Sequence, residues 1–240
     1  MAQEIGNLSL IGFLDGITAT GIIVLSVLFG LISFYHARKL EAKLLAVAGL
    51  VMVFVGLFWL GPAVDFFMVL LTGNNLSPTY LYGWLSYMWI APGVIVAFYL
   101  GAELMVPEKK KIIVGIYAII GLIFEILLWT MPTAVFTPDS LKAPETGNLI
   151  DTSFSRTNPA FYLIAFFLAS ILIFLVFGFA IKAKQATGEL RKKFLYLFLG
   201  FLIFLICGLF DSLTSPQVYL VLWRGAMITF ALWMYLGLKT

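Results

Sequence analysis

The sequence is poor in charged residues. Only 11% of its 240 residues are Asp, Glu, Lys or Arg, whereas 62% are hydrophobic. A soluble domain carries about 25% charged and roughly 45–50% apolar residues, because it must cover its surface with polar groups. A soluble globule of this length could not hide so much apolar surface. The composition therefore predicts a protein embedded in membrane lipid.

Cysteine and histidine are almost absent. The single Cys207 excludes a disulfide framework and a thiolate metal cluster, and the single His36 excludes a bis-histidine haem site within the chain. No phosphate-binding glycine loop, zinc-protease motif or serine-hydrolase elbow occurs. The last apolar segment has no central lysine, which argues against a covalently bound retinal. We therefore expect no catalytic residue, no metal, no cofactor, no enzyme activity and no nucleic-acid partner.

The N-terminal segment also lacks the marks of a signal peptide. It has neither a cationic start nor a small-residue cleavage site, so we interpret it as mature sequence.

Long apolar segments dominate what is present. A membrane helix needs about 20 apolar residues to cross about 30 Å of hydrocarbon. Seven segments meet this requirement, and they predict an all-α, polytopic membrane protein with one domain, a bundle of seven transmembrane helices over residues 1–240. The predicted spans 1 to 7 cover about 17–37, 44–71, 79–104, 112–131, 160–181, 194–213 and 218–238.

Basic residues are distributed unequally between the two sides of these spans. Twelve of the 15 Lys and Arg residues lie between spans 1 and 2, 3 and 4, 5 and 6, or after span 7, and only Lys142 and Arg156 lie in loops on the other side. Positively charged loops stay in the cytoplasm. The pattern predicts a multi-pass protein of the cell membrane with its N-terminus outside and its C-terminus in the cytoplasm.

Spans 3 and 7 resemble each other at their outer ends. They begin with the sequences SPTYLYGWLSY and SPQVYLVLWRG, and Asn158-Pro159 opens span 5 in the same way. A polar cap followed by Pro is ordinary punctuation at a helix start. Two interpretations remain: a duplication of spans 1–3 as spans 5–7 with span 4 as connector, as in some transporters, or chance similarity between apolar helices.

Four ionisable residues interrupt the apolar spans at similar predicted depth, in their outer halves: Asp65, Glu125, Asp211 and Arg224. A charge at the bilayer centre costs at least about 2.5–3.5 kcal/mol, so such residues normally face the bundle interior and find partners. One interpretation is a buried ion pair that fixes helix register. The other is a polar, outward-facing site for a small ligand. Asp211 has a third interpretation, in which it reaches to the lipid interface.

Aromatic residues and two prolines accompany these charges. Tyr and Trp residues at this depth commonly form a belt facing lipid headgroups. Those on the same helix face as a buried charge would instead line a cavity, and the candidates are Tyr80, Trp84, Tyr87 and Trp223. Pro62 and Pro92 free backbone carbonyls within spans 2 and 3, so they predict kinks that could open a pocket or act as hinges.

The segment from Leu45 to Lys111 resembles the seven-helix sensor region at the N-terminus of some bacterial and archaeal histidine kinases. The similarity rests on apolar span 2, then WLSYMWIAPGVIVAFYLG in span 3 and a basic turn, and on the number and orientation of spans. It implies sensing through the membrane region. Because the sequence carries no kinase domain, the resemblance implies a stand-alone sensor module whose output belongs to a partner.

Three functions follow as hypotheses. The first is a receptor-like or sensor-like module that binds a small ligand in its extracellular half and signals to a cytoplasmic partner. The second is a small transporter or channel subunit, supported by the repeat and the prolines. The third is an accessory subunit of a membrane complex, in which Arg224 would pair with another membrane protein. Membrane lipid is a partner in all three.

Overall fold

The computed structural model describes residues 8–145, 147–213 and 218–239, without side chains at 212–213 and 218–220. These residues form helices joined by turns, and no β-strand occurs among them. The helices are α1 (Leu10–Lys39), α2 (Lys43–Leu57), α3 (Leu60–Thr72), α4 (Tyr80–Tyr87), α5 (Ile90–Met105), α6 (Lys110–Thr130), α7 (Pro132–Val135), α8 (Pro159–Ser170), α9 (Phe177–Gln185), α10 (Gly188–Leu213), α11 (Val218–Met227) and α12 (Phe230–Leu238).

The long helices have the length and apolarity of membrane spans. Six of them qualify individually, counting α4–α5, α8–α9 and α11–α12 as continuous, and the pair α2–α3 adds a seventh crossing if its 48° bend is taken as a break within one span. Their outward faces carry exposed Leu and Ile side chains, of which Ile112, Ile119 and Leu222 are each more than 60% exposed. Such a surface fits lipid, and the fold is therefore an all-helical bundle compatible with a membrane.

Two helices begin earlier than the apolar runs predict. Helix α1 starts at Leu10 instead of residue 17, because Ser9 caps it by accepting a hydrogen bond from the Gly12 amide at 3.1 Å. Helix α10 starts at Gly188 instead of 194, and its first turns hold a Glu189–Lys192 ion pair. Hydropathy does not detect charged or capped first turns, although they continue the helix.

The helices pack in chain order around a ring. Helix α1 contacts α2 and α3, α2 contacts α5, α5 contacts α6, α6 contacts α8, α9 contacts α10, and α10 contacts α11 and α12. Helices α11 and α12 return to α1, which closes the ring. We call the end that carries loop 132–158 the capped end, and the end with the turns at 40–42, 106–109 and 186–187 the basic end.

Two helix interruptions are explained by proline. Pro62 lies in the first turn of α3, just after the Phe58–Trp59 turn, and Pro92 lies in the first turn of α5, just after the Met88–Trp89 turn. A proline cannot donate to the carbonyl four residues earlier, so the preceding helix ends there. Only the α2–α3 interruption is bent by more than 40° among the described helices.

The predicted duplication remains a hypothesis. Asn158 does cap α8, since its side chain accepts from the Ala160 amide at 2.9 Å with Pro159 in the first helical turn. Ser215 and Pro216 lie outside the described residues. Helix α10 runs without interruption, whereas its counterpart in the repeat is divided into α2 and α3.

Loop 132–158 is packed onto the capped end. Val135, Phe136, Leu149 and Ile150 are buried, and Phe136 pairs with Phe154 in an isolated antiparallel bridge. The loop also contacts the start of α1, where the Ser9 amide donates to the Gly147 carbonyl at 2.9 Å. The loop is thus an ordered cover over the helix ends.

Candidate functional site

Arg224 lies on α11 and faces the interior of the bundle, with only 5% of its surface exposed. Its Nε donates to Asp211 Oδ1 of α10 at 2.7 Å, and its Nη1 donates to Asp15 Oδ1 of α1. Asp15 is itself 95% buried and lies five residues into α1, about 7 Å below the helix start. One guanidinium therefore joins three helices near the capped end.

A third aspartate, Asp151, approaches this pair from loop 132–158. Asp151 interacts electrostatically with Asp15, and it also lies within electrostatic range of Arg224 and Asp211. Although the residue reaches solvent, the protein packed around its carboxyl raises its pKa. The negative charge of Asp211 raises this pKa further, and Arg224 lowers it.

Two tyrosines from α4 face the same region. Tyr82 is 5% exposed, and the charges of Arg224, Asp151 and Asp15 act on its hydroxyl. Tyr87 donates its hydroxyl to the Thr152 carbonyl at 3.1 Å. We call the group Asp15, Asp151, Asp211 and Arg224, with Tyr82, the Arg224 cluster.

The Arg224 cluster has an excess of negative charge when its members are ionised. Three aspartates contribute −3 and one arginine contributes +1, which leaves −2. Burying an uncompensated charge is costly, so a buried carboxylate normally has a cationic partner or keeps its proton. The cluster can therefore accept a cationic group or protons.

Asp65 does not pair with Arg224. It is fully buried, and its carboxylate accepts hydrogen bonds from the Leu76 amide at 2.6 Å and the Ile150 amide at 2.8 Å. It also accepts from the Asn75 side chain at 3.0 Å. Bonds from amides to a carboxylate are among the stronger ones in proteins. Asp65 therefore fastens two loops to α3.

The hydrogen bond between Asp65 and the Ile150 amide also fixes the position of the neighbouring Asp151. Ile150 is held by Asp65, and Thr152 is held by Tyr87 through its carbonyl. Asp151 lies between these two fixed residues. Asp65 is thus a positioning residue for the Arg224 cluster instead of a member of it.

Glu125 lies elsewhere, on α6. Its Oε2 accepts from the Trp129 indole one turn along the same helix at 3.0 Å, and the Ala91 amide in the first turn of α5 acts on the same carboxyl. The structure therefore brings together Asp211 and Arg224 of the four sequence-predicted charges, and it separates Asp65 and Glu125 from them.

The four predicted cavity-lining aromatics are also divided. Tyr80 packs edge-on against Trp84, and the Trp84 indole donates to the Leu128 carbonyl of α6 at 2.9 Å. Trp223 stacks on Phe210 at 4.4 Å between ring centres. Only Tyr87 borders the Arg224 cluster, where it holds the loop. A crevice of 740 Å³ at this end is lined mainly by loop residues, among them Asn75, Leu76, Ser77, Thr79 and Gly147.

Sequence reasoning missed Asp15, Asp151 and Tyr82. Asp15 was placed before span 1, because the predicted span began at residue 17. The signal that could have identified it is the Ser9 cap, which starts the helix early enough to carry Asp15 into the bundle. No local signal distinguishes Asp151 from other loop carboxylates, since a long-range contact places it.

Nothing in the described part of the chain resembles a metal centre, since no group of three or more His, Cys, Asp or Glu side chains there could hold an ion. Searches against protein-family models, curated proteins and solved structures gave no significant match. The interpretation of the Arg224 cluster therefore depends on its own geometry.

Proposed function

We propose that the protein is a receptor-like or sensor-like membrane module of seven helices, with the capped end outside and the basic end in the cytoplasm. A small ligand carrying a cationic group binds at the Arg224 cluster, and the bundle passes the signal to a cytoplasmic partner. The resemblance of spans 2 and 3 to histidine-kinase sensor regions is consistent with this role.

The observation that carries the proposal is the charge of the Arg224 cluster. A purely structural ion pair needs one carboxylate for one guanidinium, whereas Arg224 pairs with both Asp15 and Asp211. A third aspartate, Asp151, lies within electrostatic range of Arg224. A cationic ligand group arriving from the solvent side at Asp151 would offset the remaining charge, and the low dielectric around buried Asp15 and Arg224 would strengthen its attraction. The Tyr82 hydroxyl would supply a further donor or acceptor.

The contrast between the two halves of the bundle favours sensing over transport. The buried charged residues of the described chain are Asp15, Asp65 and Arg224, and all of them lie toward the capped end. Aromatic and small side chains fill the opposite half, for example Phe179 against Phe201 at 5.7 Å. A ligand could reach the cluster from one side, but it would meet an apolar barrier beyond.

Transport is the second candidate, and interrupted helices favour it. Binding sites of many transporters lie at broken membrane helices, where unwound backbone contacts the substrate. Spans 2 and 3 are interrupted before α3 and α5, and the last span is interrupted between α11 and α12. The accessory-subunit hypothesis has less support, because Arg224 already has two partners within the chain.

The test is a thermal-shift screen of the purified protein in detergent with alkylammonium, guanidinium and polyamine salts, each compared with sodium chloride at equal ionic strength. We expect at least one cation to raise the melting temperature of the wild type. Asp151→Asn should reduce that increase at least several-fold. Asp139→Asn is the matched control, since Asp139 is an exposed carboxylate of the same loop paired with Lys142.

Two outcomes would contradict a cation site: no cation exceeds sodium chloride, or both aspartate variants respond alike. Proteoliposomes then separate the two candidate functions. Proteoliposomes containing a sensor would keep an imposed gradient of the binding cation. Proteoliposomes containing a transporter would lose that gradient faster than liposomes without protein.

A further inference from the structure

A second open site lies at the opposite end of the bundle, on its lipid-facing side. A groove of 310 Å³ runs between the end of α5 and the helix formed by α8 and α9. Met105, Ile173, Phe174 and Ile181 give it an apolar lining, and Lys182 with Gln185 closes it at the basic end.

An irregular helical segment lies beside the groove. Residues Ile171–Val176 form a π-helical segment between α8 and α9, which is rare and frequently marks a functional position. Gly178 follows it and lines the groove without a side chain. A Cβ atom at Gly178 would come within 2.4 Å of the Met105 sulfur, so glycine lets the two helices approach there while leaving space beside them.

The dimensions of the groove match one leaflet of a bilayer. Ile173 and Gln185 are 12 residues apart, which corresponds to about 18 Å along a helix. Half of the hydrocarbon thickness is about 15 Å. Ile173 is 66% exposed and Ile181 54% exposed, so the groove is open toward the surrounding lipid along its length. An acyl chain could lie in it from the headgroup level to the centre of the membrane.

The polar end of the groove is cationic. Lys182 is half-buried there, and it forms no salt bridge with another described residue. Exposed Lys109 at the neighbouring turn adds positive charge. Basic pockets between membrane helices on the cytoplasmic side bind anionic lipid headgroups. Charge complementarity therefore selects an anionic occupant.

We propose that this groove binds one anionic phospholipid, with an acyl chain along Ile173, Gly178 and Ile181 and the phosphate on Lys182. The site is independent of the Arg224 cluster, because it lies at the other end of the bundle. A bound lipid would fill the space beside the π-helical segment and hold α5 against α9.

The experiment measures lipid retention by native mass spectrometry and melting temperature in detergent, with phosphatidylglycerol and phosphatidylcholine added separately. We expect the wild type to retain one phosphatidylglycerol molecule in preference to phosphatidylcholine and to gain stability from it. Lys182→Gln should weaken this binding about fivefold, as expected for one cation at a membrane surface. Lys184→Gln is the matched control, since Lys184 is exposed on the same helix but does not line the groove.

Three results would overturn the proposal. Equal weakening in both lysine variants would indicate a diffuse surface charge. An equal preference for phosphatidylcholine would remove the role of the phosphate charge. Stabilisation by glycerol 3-phosphate as large as that by phosphatidylglycerol would show that the acyl groove is not used.

Discussion

The two ends of the bundle are held together by different kinds of contact. At the capped end, buried charges and backbone amides form directional bonds, as in the contacts of Asp65 with loop amides and of Arg224 with two aspartates. Toward the basic end, α1 and α2 cross with their backbones in contact at Gly30 and Gly49. Small residues that let helices approach closely are typical of membrane interfaces.

For the proposed sensor role, this difference suggests where a signal would arise. A polar network in low dielectric responds strongly to one added or removed charge, because unpaired buried groups are costly. A close-packed crossing resists change, because neither backbone can yield without moving its helix. We therefore expect ligand sensitivity at the capped end and rigid transmission through the α1–α2 crossing.

The largest effect should come from Arg224→Ala. Removing the guanidinium leaves Asp15 and Asp211 without their cation, and breaking a buried ion pair in this way costs about 3–5 kcal/mol. The free energy of unfolding from a denaturant titration in detergent would measure it. Arg156→Ala is the matched control, because Arg156 is exposed at the same end. Similar losses in both variants would show that the cluster does not stabilise the fold.

The second largest effect should come from Asp65→Ala. Its carboxylate satisfies the Leu76 and Ile150 amides, and charge-assisted bonds of this kind are each worth about 1.5–3 kcal/mol. We expect a loss of about 3 kcal/mol, the lower end for two such bonds, and faster hydrogen exchange of the Leu76 and Ile150 amides. Asp139→Ala should change neither. Unchanged exchange at Ile150 would contradict the positioning of Asp151 by Asp65.

Much of the bundle could be predicted from the sequence, because apolar length and proline chemistry are local properties. The spans at 44–71, 79–104 and 218–238 agree with the helices within a residue or two, and the turns before Pro62 and Pro92 follow from the missing proline amide. The early starts of α1 and α10 were not predicted, since their first turns depend on a cap and on charged residues that hydropathy scores against.

The site was less predictable, because the depth of a residue in the membrane does not specify which face of its helix it occupies, and therefore which neighbouring helix it meets. Asp65, Glu125, Asp211 and Arg224 were grouped by similar depth, but only Asp211 and Arg224 face each other. Asp65 contacts loop amides and Glu125 contacts a tryptophan on its own helix. Asp151 comes from the far end of a long loop, and its place depends on contacts with α3 and α4 that no sequence spacing encodes.

A smaller effect is expected where the helices are held by shape. Gly49→Ala would place a Cβ atom 2.9 Å from the Gly30 carbonyl oxygen, which belongs to a backbone and cannot rotate away. Overpacking of this kind costs about 1–3 kcal/mol. Gly115→Ala is the matched control, since nothing lies within 4 Å of its Cβ position. There alanine should be neutral or stabilise the helix by up to about 1 kcal/mol. Equal changes in the free energy of unfolding for Gly49→Ala and Gly115→Ala would show that α1 and α2 can move apart at their crossing without loss of stability.

The smallest effect, on the pH dependence of stability, separates the Arg224 cluster from the surface of the same loop. Burial raises the pKa of Asp151 above the value of 3.8 that it has in an unfolded chain. The unfolded chain therefore releases this proton first as the pH rises, so the folded state loses stability from about pH 4 up to the folded pKa. Because Asp151 reaches solvent, we expect this loss to be below about 1 kcal/mol.

Asp139 should behave in the opposite way, because a hydrogen bond from Lys142 and its charge lower the pKa of Asp139. Its contribution to stability is present above pH 3.8 and is lost as the pH falls through the folded pKa. Melting temperatures of the wild type, Asp151→Asn and Asp139→Asn are measured between pH 3 and 7. Subtracting each variant's melting temperature from that of the wild type gives one difference curve for each aspartate. The curve for Asp151 should fall with pH and the curve for Asp139 should rise. Two curves of the same sign would mean that Asp151 is an ordinary surface carboxylate, and the Arg224 cluster would then lose its third negative charge.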